Sequence, residues 1–453
     1  MGVRQGVLRG FEAPQEAAAD PGAASGTRRS LRPAGRPVVA ELAAADRVAA
    51  ELAGWTASGR PTIRRQTGPA RGSQAAIPTW VNEFWTSRQR AASSLHEISY
   101  RACFKPALPR FFIERFSAPG EIVHDPFLGR GTTALEAALL GRVPCGSDVN
   151  PLSRMLLEPR LSPPRQDEVA DRLAGIDLHV DLPCDPELLV FYHPDTLREL
   201  TALRDWLLRR EVRGELDGVD RWIRMVAVNR LTGHSPGFFS VYTLPPNQAV
   251  TVASQRRINE RRAQSPPRRD VPALLLRKSR ALLASVDDRL RAQLALVAAR
   301  ARIACAPAAA TPQIESDSVA LVVTSPPFLD VVQYATDNWL RCWFCGVDAG
   351  EVALTQAKRI DVWEAEMTAA LRELRRVLRP GGHVAFEVGE VRGGRVELER
   401  NVVSCAIDVG LEPRWVLVQD QQFTKTANCW GVGNNQVGTN TNRVVLLRRP
   451  SMP

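Results

Sequence analysis

The run Asp125-Pro126-Phe127-Leu128-Gly129-Arg130-Gly131-Thr132-Thr133 constrains the fold of this chain more than any other stretch. A short apolar strand pattern, Glu121–His124, leads into it from the turn Ala118-Pro119-Gly120, and a helical run, Ala134–Leu140, leaves it. A strand that turns on glycines into a helix is how an open α/β sheet receives a nucleotide-like ligand. Gly129 and Gly131 permit the tight turn and a close approach of backbone to ligand. A second strand, Arg142–Gly146, ends at Ser147-Asp148-Val149-Asn150-Pro151. An acid at such a strand end can accept both hydroxyls of a ribose. The spacing Gly129-x-Gly131-x-x-Ala134 also approximates a nicotinamide-dinucleotide fingerprint. The glycines alone therefore leave two cofactor classes open, although the Asp-Pro-Phe start and the lack of a hydride-transfer partner speak against a dehydrogenase.

The second feature is Val322-Val323-Thr324-Ser325-Pro326-Pro327-Phe328, an apolar strand that stops in a polar-Pro-Pro-aromatic tetrad. Two consecutive prolines fix both φ angles and offer no N–H, so the chain leaves the strand extended with its carbonyls unpaired. Ser325 and the nearby carbonyls can accept from the amino group of a planar heterocycle, and Phe328 can stack on its face. Taken alone, the tetrad fits equally well as a proline turn at a buried strand end.

The rest of the chain arranges itself around these two stretches. Residues 1–76 are rich in Ala, Gly, Arg and Pro and read as a disordered tail, with a short helix over Val38–Ala53. Order is expected from about Ile77, with the first part of the main domain running to residue 160. Residues 161–301 break the strand–helix rhythm and read as an inserted helical and loop region. It contains the aromatic segment Asn229–Val250 and a basic series that begins at Arg256, Arg257 and Arg261. Residues 302–453 resume the sheet with Ser318–Thr324. Asp361–Leu378 carries Trp363, Met367, Ala370, Leu371, Leu374 and Leu378 at three- and four-residue steps, the mark of an amphipathic helix. Arg379-Pro380-Gly381-Gly382 is expected to stop that helix, with His383–Val388 the next strand. Asn401–Val409 reads as a helix, Trp415–Val418 and Arg443–Leu447 as strands, and Asn428–Asn442 as their long hairpin connection. The alternation predicts an α/β fold, a Rossmann-like and mostly parallel sheet with a terminal antiparallel hairpin.

Composition adds a partner class. The 453 residues hold 59 Lys+Arg against 49 Asp+Glu, a net charge of +10, which favours a polyanion. Eight cysteines make no disulfide framework, and Cys342-Trp-Phe-Cys345 lacks the second pair or histidines of a metal site. With no run of eighteen apolar residues and no signal-like N-terminus, a cytoplasmic protein is the expectation.

The glycine run and the tetrad together resemble the amino-methylating DNA methyltransferases, S-adenosylmethionine enzymes of class I fold that modify cytosine N4 or adenine N6. The resemblance covers roughly residues 77–448. It implies that Asp125, Pro126, Phe127, Gly129, Gly131, Thr132 and Thr133 cradle the cofactor, with Phe104, Lys105 and Thr324 closing the pocket and Asp148 on the ribose. It makes Ser325, Pro326, Pro327 and Phe328 the catalytic tetrad and double-stranded DNA the substrate. A cognate restriction endonuclease is a candidate further partner. The family often places an acid near the adenine after its third strand, where this chain reads Cys305-Ala306-Pro307-Ala308-Ala309; no residue is assigned to the adenine. The tetrad ends in Phe328 where Tyr is commoner. Phe238, Phe239, Tyr242, Arg256, Arg257 and Arg261 are the candidate DNA contacts, the aromatics equally well as core. Ser at the head of the tetrad favours cytosine N4, with adenine N6 and, further off, guanine N2 in RNA as alternatives.

Overall fold

The computed structural model describes residues 38–85, 92–100, 103–243, 249–329, 334–350, 352, 357–389, 391, 396–420 and 441–451. The first elements lie inside the expected tail. Helix α1 (Val38–Gly54) is followed by a small hairpin of β1 (Thr56–Ala57) and β2 (Arg60–Pro61), and then by β3 (Ile63–Thr67). Ala45, Val48 and Leu52 bury one face of α1 in a core shared with Trp80, Phe111 and Trp415, and the Trp415 indole donates to Ala45 O at 3.2 Å. The helix expected over Val38–Ala53 is present as α1, but the reading of its surroundings through residue 76 as a disordered tail is corrected. An alanine-rich helix face and a polar edge strand, Ile-Arg-Arg-Gln-Thr, bury area without showing the large apolar residues that mark an ordered segment.

β4 (Ile77–Asn82) pairs antiparallel with β3, and α2 (Ala107–Phe116) leads to β5 (Ile122–Asp125). The glycine run connects β5 to α3 (Thr132–Leu139), and β6 (Val143–Asp148) follows. Asn150 caps α4 (Pro151–Leu161) by accepting from Leu152 N, with Pro151 in the first turn where its missing N–H costs nothing. The insertion is helical: α5 (Gln166–Ala174), α6 (Pro194–Val212), α7 (Gly218–Val228), α8 (Val252–Arg262), α9 (Val271–Leu283) and α10 (Asp288–Ala298). Its core, around Phe191, Tyr192, Trp222 and Leu275, is continuous with Leu128, Leu135 and Leu157 beside the glycine run.

β7 (Arg302–Cys305) and β8 (Val319–Thr324) return the chain to the sheet, and α11 (Tyr334–Cys345) and α12 (Ile360–Val377) follow. Cys342 and Cys345 are buried on α11. The face predicted for α12 is the face it buries, Trp363, Met367, Ala370, Leu371 and Leu374. β9 (Leu378–Gly389) begins four residues before the expected stop has ended. Gly381, at φ +78°, bulges there, so Val319 and Leu321 on β8 face Leu378 and His383 in turn. α13 (Leu398–Asp408), β10 (Glu412–Asp420) and β11 (Thr441–Arg448) complete the chain.

Among the described residues nine strands run in the order β3-β4-β10-β11-β9-β8-β5-β6-β7. From β9 to β7 all neighbours are parallel, and β11 lies antiparallel to both β9 and β10. This is the expected α/β sheet with its antiparallel end, extended by β4 and β3. The hairpin connection Asn428–Asn442 lies, but for Thr441 and Asn442, outside the described residues. Among the described residues no helix is long and apolar enough to cross a membrane.

Candidate active site

β5 and β8 are sheet neighbours, so the glycine run and the tetrad emerge side by side at carboxyl ends. Their connection is direct. Thr324 Oγ1 donates to Asp125 Oδ1 at 2.6 Å, 199 positions away, and Phe127 N donates to the same oxygen at 3.1 Å. Thr133 also bonds Asp125, and its hydroxyl reaches Val323 O at 2.9 Å. Burial pushes the Asp125 carboxyl up to about 6 against the pull of these donors.

The glycine loop is shaped by positive φ at Gly129 (+51°) and Gly131 (+76°). Gly129 N donates to Asp148 Oδ2 at 2.8 Å and Asn150 N to Asp148 Oδ1 at 2.9 Å, which fixes the carboxylate at the tip of β6. Burial raises the Asp148 carboxyl above its ordinary range despite those bonds. Arg130 donates from Nε to Thr132 Oγ1 at 3.1 Å within the run and from its terminal nitrogens to Ile98 O and Phe104 O at 3.0 and 3.3 Å, binding the segment ahead of α2 to the site.

A cavity of about 240 Å³ opens between these elements. Phe104, Asp125, Phe127, Gly129, Thr132, Asp148, Ser325 and Pro327 line it, so eight of the residues singled out in the sequence converge on one space. Pro126, Gly131, Thr133 and Thr324 are outside the lining, and Thr133 and Thr324 bond Asp125, which is part of it. Lys105 is exposed and outside the lining; its carbonyl accepts from Leu108 N where α2 begins. Pro326 is buried, and Phe328 is half-buried against the core containing Trp363 and Phe386 rather than in the cavity wall. Stacking by Phe328 is therefore not what this geometry offers.

The candidate DNA contacts divide. Arg256, Arg257 and Arg261 are exposed on α8. Phe239 is fully buried and packs as core, which corrects its reading as a substrate contact: a side chain in the insertion's apolar centre has no path to a ligand. The guanidinium of Arg230 covers Phe238 at 4.1 Å and that of Arg262 covers Tyr242 at 3.8 Å.

Three features were not foreseen. Glu387, buried near the carboxyl end of β9, bonds Ser325 and accepts from Asn442 Nδ2 at 2.8 Å; burial pushes its carboxyl up to about 7. The signal was a lone charge inside the apolar run His383–Val388. Trp363 Nε1 donates to Pro327 O at 2.9 Å, which fixes one of the tetrad's carbonyls. Arg230 joins Arg277 and Lys278 of the basic series: it adjoins Arg277, and Lys278 Nζ donates to Glu97 O at 2.6 Å, which puts this end of the series on the Glu97–Tyr100 side of the cavity.

Residues 59–153, from the edge strands through the glycine loop, match the family model described as DNA methylase. This stretch, about a fifth of the chain, is what is similar to the family. Type II methyltransferase M.BsoBI of Geobacillus stearothermophilus is 41% identical over 69 residues, 15% of this chain and 14% of that one. Type II methyltransferase M.MjaII of Methanocaldococcus jannaschii is 32% identical over 76 residues, 17% and 14%. The matched segments thus span about one-seventh of these relatives' length. Among solved structures, a putative DNA modification methylase from Thermus thermophilus, complexed with S-adenosyl-L-methionine, is 22% identical over 31% of this chain and 51% of that one, with a TM-score of 0.20. TrmN from Thermus thermophilus is 14% identical over 79% and 51%, with a TM-score of 0.29.

Proposed function

We propose that this protein is an S-adenosylmethionine-dependent DNA methyltransferase whose acceptor is the exocyclic N4 amine of a cytosine flipped out of the duplex. The observation that carries this reading is the Thr324–Asp125 hydrogen bond, which joins the tetrad strand to the glycine loop over one cavity. The lining suits a cofactor of this class: a carboxylate fixed at the tip of β6 for the ribose hydroxyls, and a glycine loop opening into α3 for the methionine portion. When bound, the cofactor supplies a methyl group on an electrophilic sulfonium.

The chain's own residues position the acceptor. A nucleobase amine is a poor nucleophile because its lone pair is conjugated into the ring, so in-line placement and acceptors for its hydrogens supply most of the assistance, on the order of several kcal/mol. Ser325 Oγ is oriented by Glu387 so that its lone pairs face the amine. Pro326 and Pro327 keep the backbone extended so that carbonyls assist, and Trp363 pins the second of these. A base within a duplex cannot reach this cavity and must be extruded. The cluster of Arg230, Arg277 and Lys278 takes the phosphates beside the extruded nucleotide, with Arg256, Arg257 and Arg261 contacting backbone further out.

Incubation of the protein with labelled S-adenosylmethionine and genomic DNA, followed by digestion to nucleosides, tests this. N4-methylcytosine is expected. N6-methyladenine would transfer the reading to the alternative base, and no labelled nucleoside would refute it.

A further inference from the structure

The cavity wall carries a group that neither the glycine loop nor the tetrad uses. Glu366 lies on α12 one turn beyond Trp363 and lines the cavity together with Met367, Ala369 and Ala370. Its Oε2 is buried without a hydrogen-bond partner among the described residues. The other carboxylates of the lining are satisfied, Asp125 by Thr324 and Phe127, Asp148 by Gly129 and Asn150. An unpaired buried acceptor costs about 1–3 kcal/mol and calls for an explanation. Burial raises the Glu366 carboxyl above its ordinary range, and among the described residues no neighbouring cation draws it back down.

The anchoring of α12 decides what Glu366 faces. At one end Trp363 is bonded to Pro327 O. At the other, Glu373 accepts from Thr311 N and Oγ1 at 2.8 and 2.6 Å, and Arg376 donates to Thr311 O and Ile314 O. The helix is thereby held against the loop after β7, whose Pro307, Ala308 and Ala309 also line the cavity. β7 lies beyond β6, on the side of the sheet away from Ser325. A cofactor whose ribose sits on Asp148 therefore extends its base toward Val149, Pro307–Ala309 and α12. That part of the wall is apolar apart from Glu366.

We infer that Glu366 accepts a hydrogen bond from the exocyclic amine of the cofactor's adenine and so selects adenine over bases that lack the amine. This rests on the cofactor reading above, and the test separates the two. Isothermal calorimetry would compare S-adenosyl-L-homocysteine with S-inosyl-L-homocysteine, in which a carbonyl oxygen replaces the amine and faces the carboxylate lone pair to lone pair. The wild-type protein is expected to bind the adenosyl compound roughly 10- to 100-fold more tightly, the range for a bond to a charged acceptor. In Glu366→Ala that preference should fall to within about threefold, through weaker adenosyl binding. The near-isosteric Glu366→Gln, whose amide can donate to the inosyl carbonyl, should also lose most of it while keeping the fold. Absence of discrimination in the wild type, or full discrimination in both variants, overturns the assignment with the cofactor reading intact. Failure of the wild type to bind either compound removes both.

Discussion

Ser325 has no charge, yet it hydrogen-bonds a carboxyl that titrates near neutrality, and this coupling sets how the proposed acceptor site responds to pH. With Glu387 ionised, the Ser325 hydroxyl donates to it and leaves its lone pairs for the substrate amine; with Glu387 protonated, the acid O–H can donate to Ser325 Oγ and occupy a lone pair that the amine needs. Turnover is therefore expected to rise through about pH 7, the value to which burial pushes Glu387, and to level off above it. Glu387→Gln should flatten that rise; an unchanged profile in the variant would assign it to another group. Stability moves in the opposite direction. A carboxyl raised from the ordinary 4.5 to about 7 holds its proton more tightly in the folded chain, so stability falls as pH climbs between those values and is level beyond them. Urea unfolding should show Glu387→Gln gaining roughly 2–3 kcal/mol relative to wild type between pH 5 and pH 8. A pH-independent difference would mean that Glu387 titrates normally. Ser325 could be read from the chain because two prolines after an apolar strand are rare and chemically suggestive. Glu387 could not, because its partners, Ser325 and Asn442, come from β8 and β11, and nothing in a single strand names the neighbours it will have.

At the scale of elements, the glycine turn is where conformation and packing coincide. Gly131 has φ +76°, and a Cβ there would lie 2.9 Å from Leu157 Cδ1 on α4. Gly120 has φ +81° with nothing within 4 Å of a Cβ. Gly120→Ala is thus expected to cost about 1–2 kcal/mol from backbone strain alone. Gly131→Ala should cost about 2–5 kcal/mol, because α4 or the start of α3 must also give way. Thermal melts of the pair separate the two contributions, and equal losses would show that Leu157 yields freely. Elements with a strong period or strict turn chemistry were legible in this way. The face of α12 was readable from Trp363 to Leu374, and the turn between β5 and α3 from its two glycines. The helix of α1 was readable too, but not its burial, nor β3, since Ala45, Val48 and Leu52 become a buried face only when Trp80 and Trp415 arrive from β4 and β10. Nor did the sequence place Phe239, an aromatic in a loop-like segment, at the centre of the insertion's core.

At the scale of the whole molecule, the net charge of +10 says that a polyanion is favoured but not where it lies. The fold supplies an address. Arg230 and Lys278 are half-buried and Arg277 exposed; among the described residues no ion pair reaches any of the three, and only Glu97 offsets Lys278. Mutual repulsion adds to burial in holding Arg230 down to about 10 and Lys278 to about 8, so the cluster is short of negative charge. It is also fastened to the cavity. Lys278 bonds Glu97 O, Asn229 Oδ1 accepts from Ser99 N at 2.7 Å, Arg341 donates to Ser99 O, and the next residue, Tyr100, lines the cavity. Phosphates flanking an extruded nucleotide would fall there, whereas the exposed arginines of α8 would meet backbone further along. Each neutralised phosphate releases condensed counterions, so the slope of log K against log salt measures the contacts made. Arg277→Ala and Lys278→Ala should each lower that slope by about 1 for duplex DNA. They should weaken binding alike for methylatable and unrelated sequences, since phosphate contacts carry no base information. Cofactor affinity in both variants should match wild type, because neither side chain lines the cavity. If both variants keep the full salt slope while Arg256→Ala and Arg257→Ala reduce it, the duplex lies along α8, and the base must enter the cavity from that side instead.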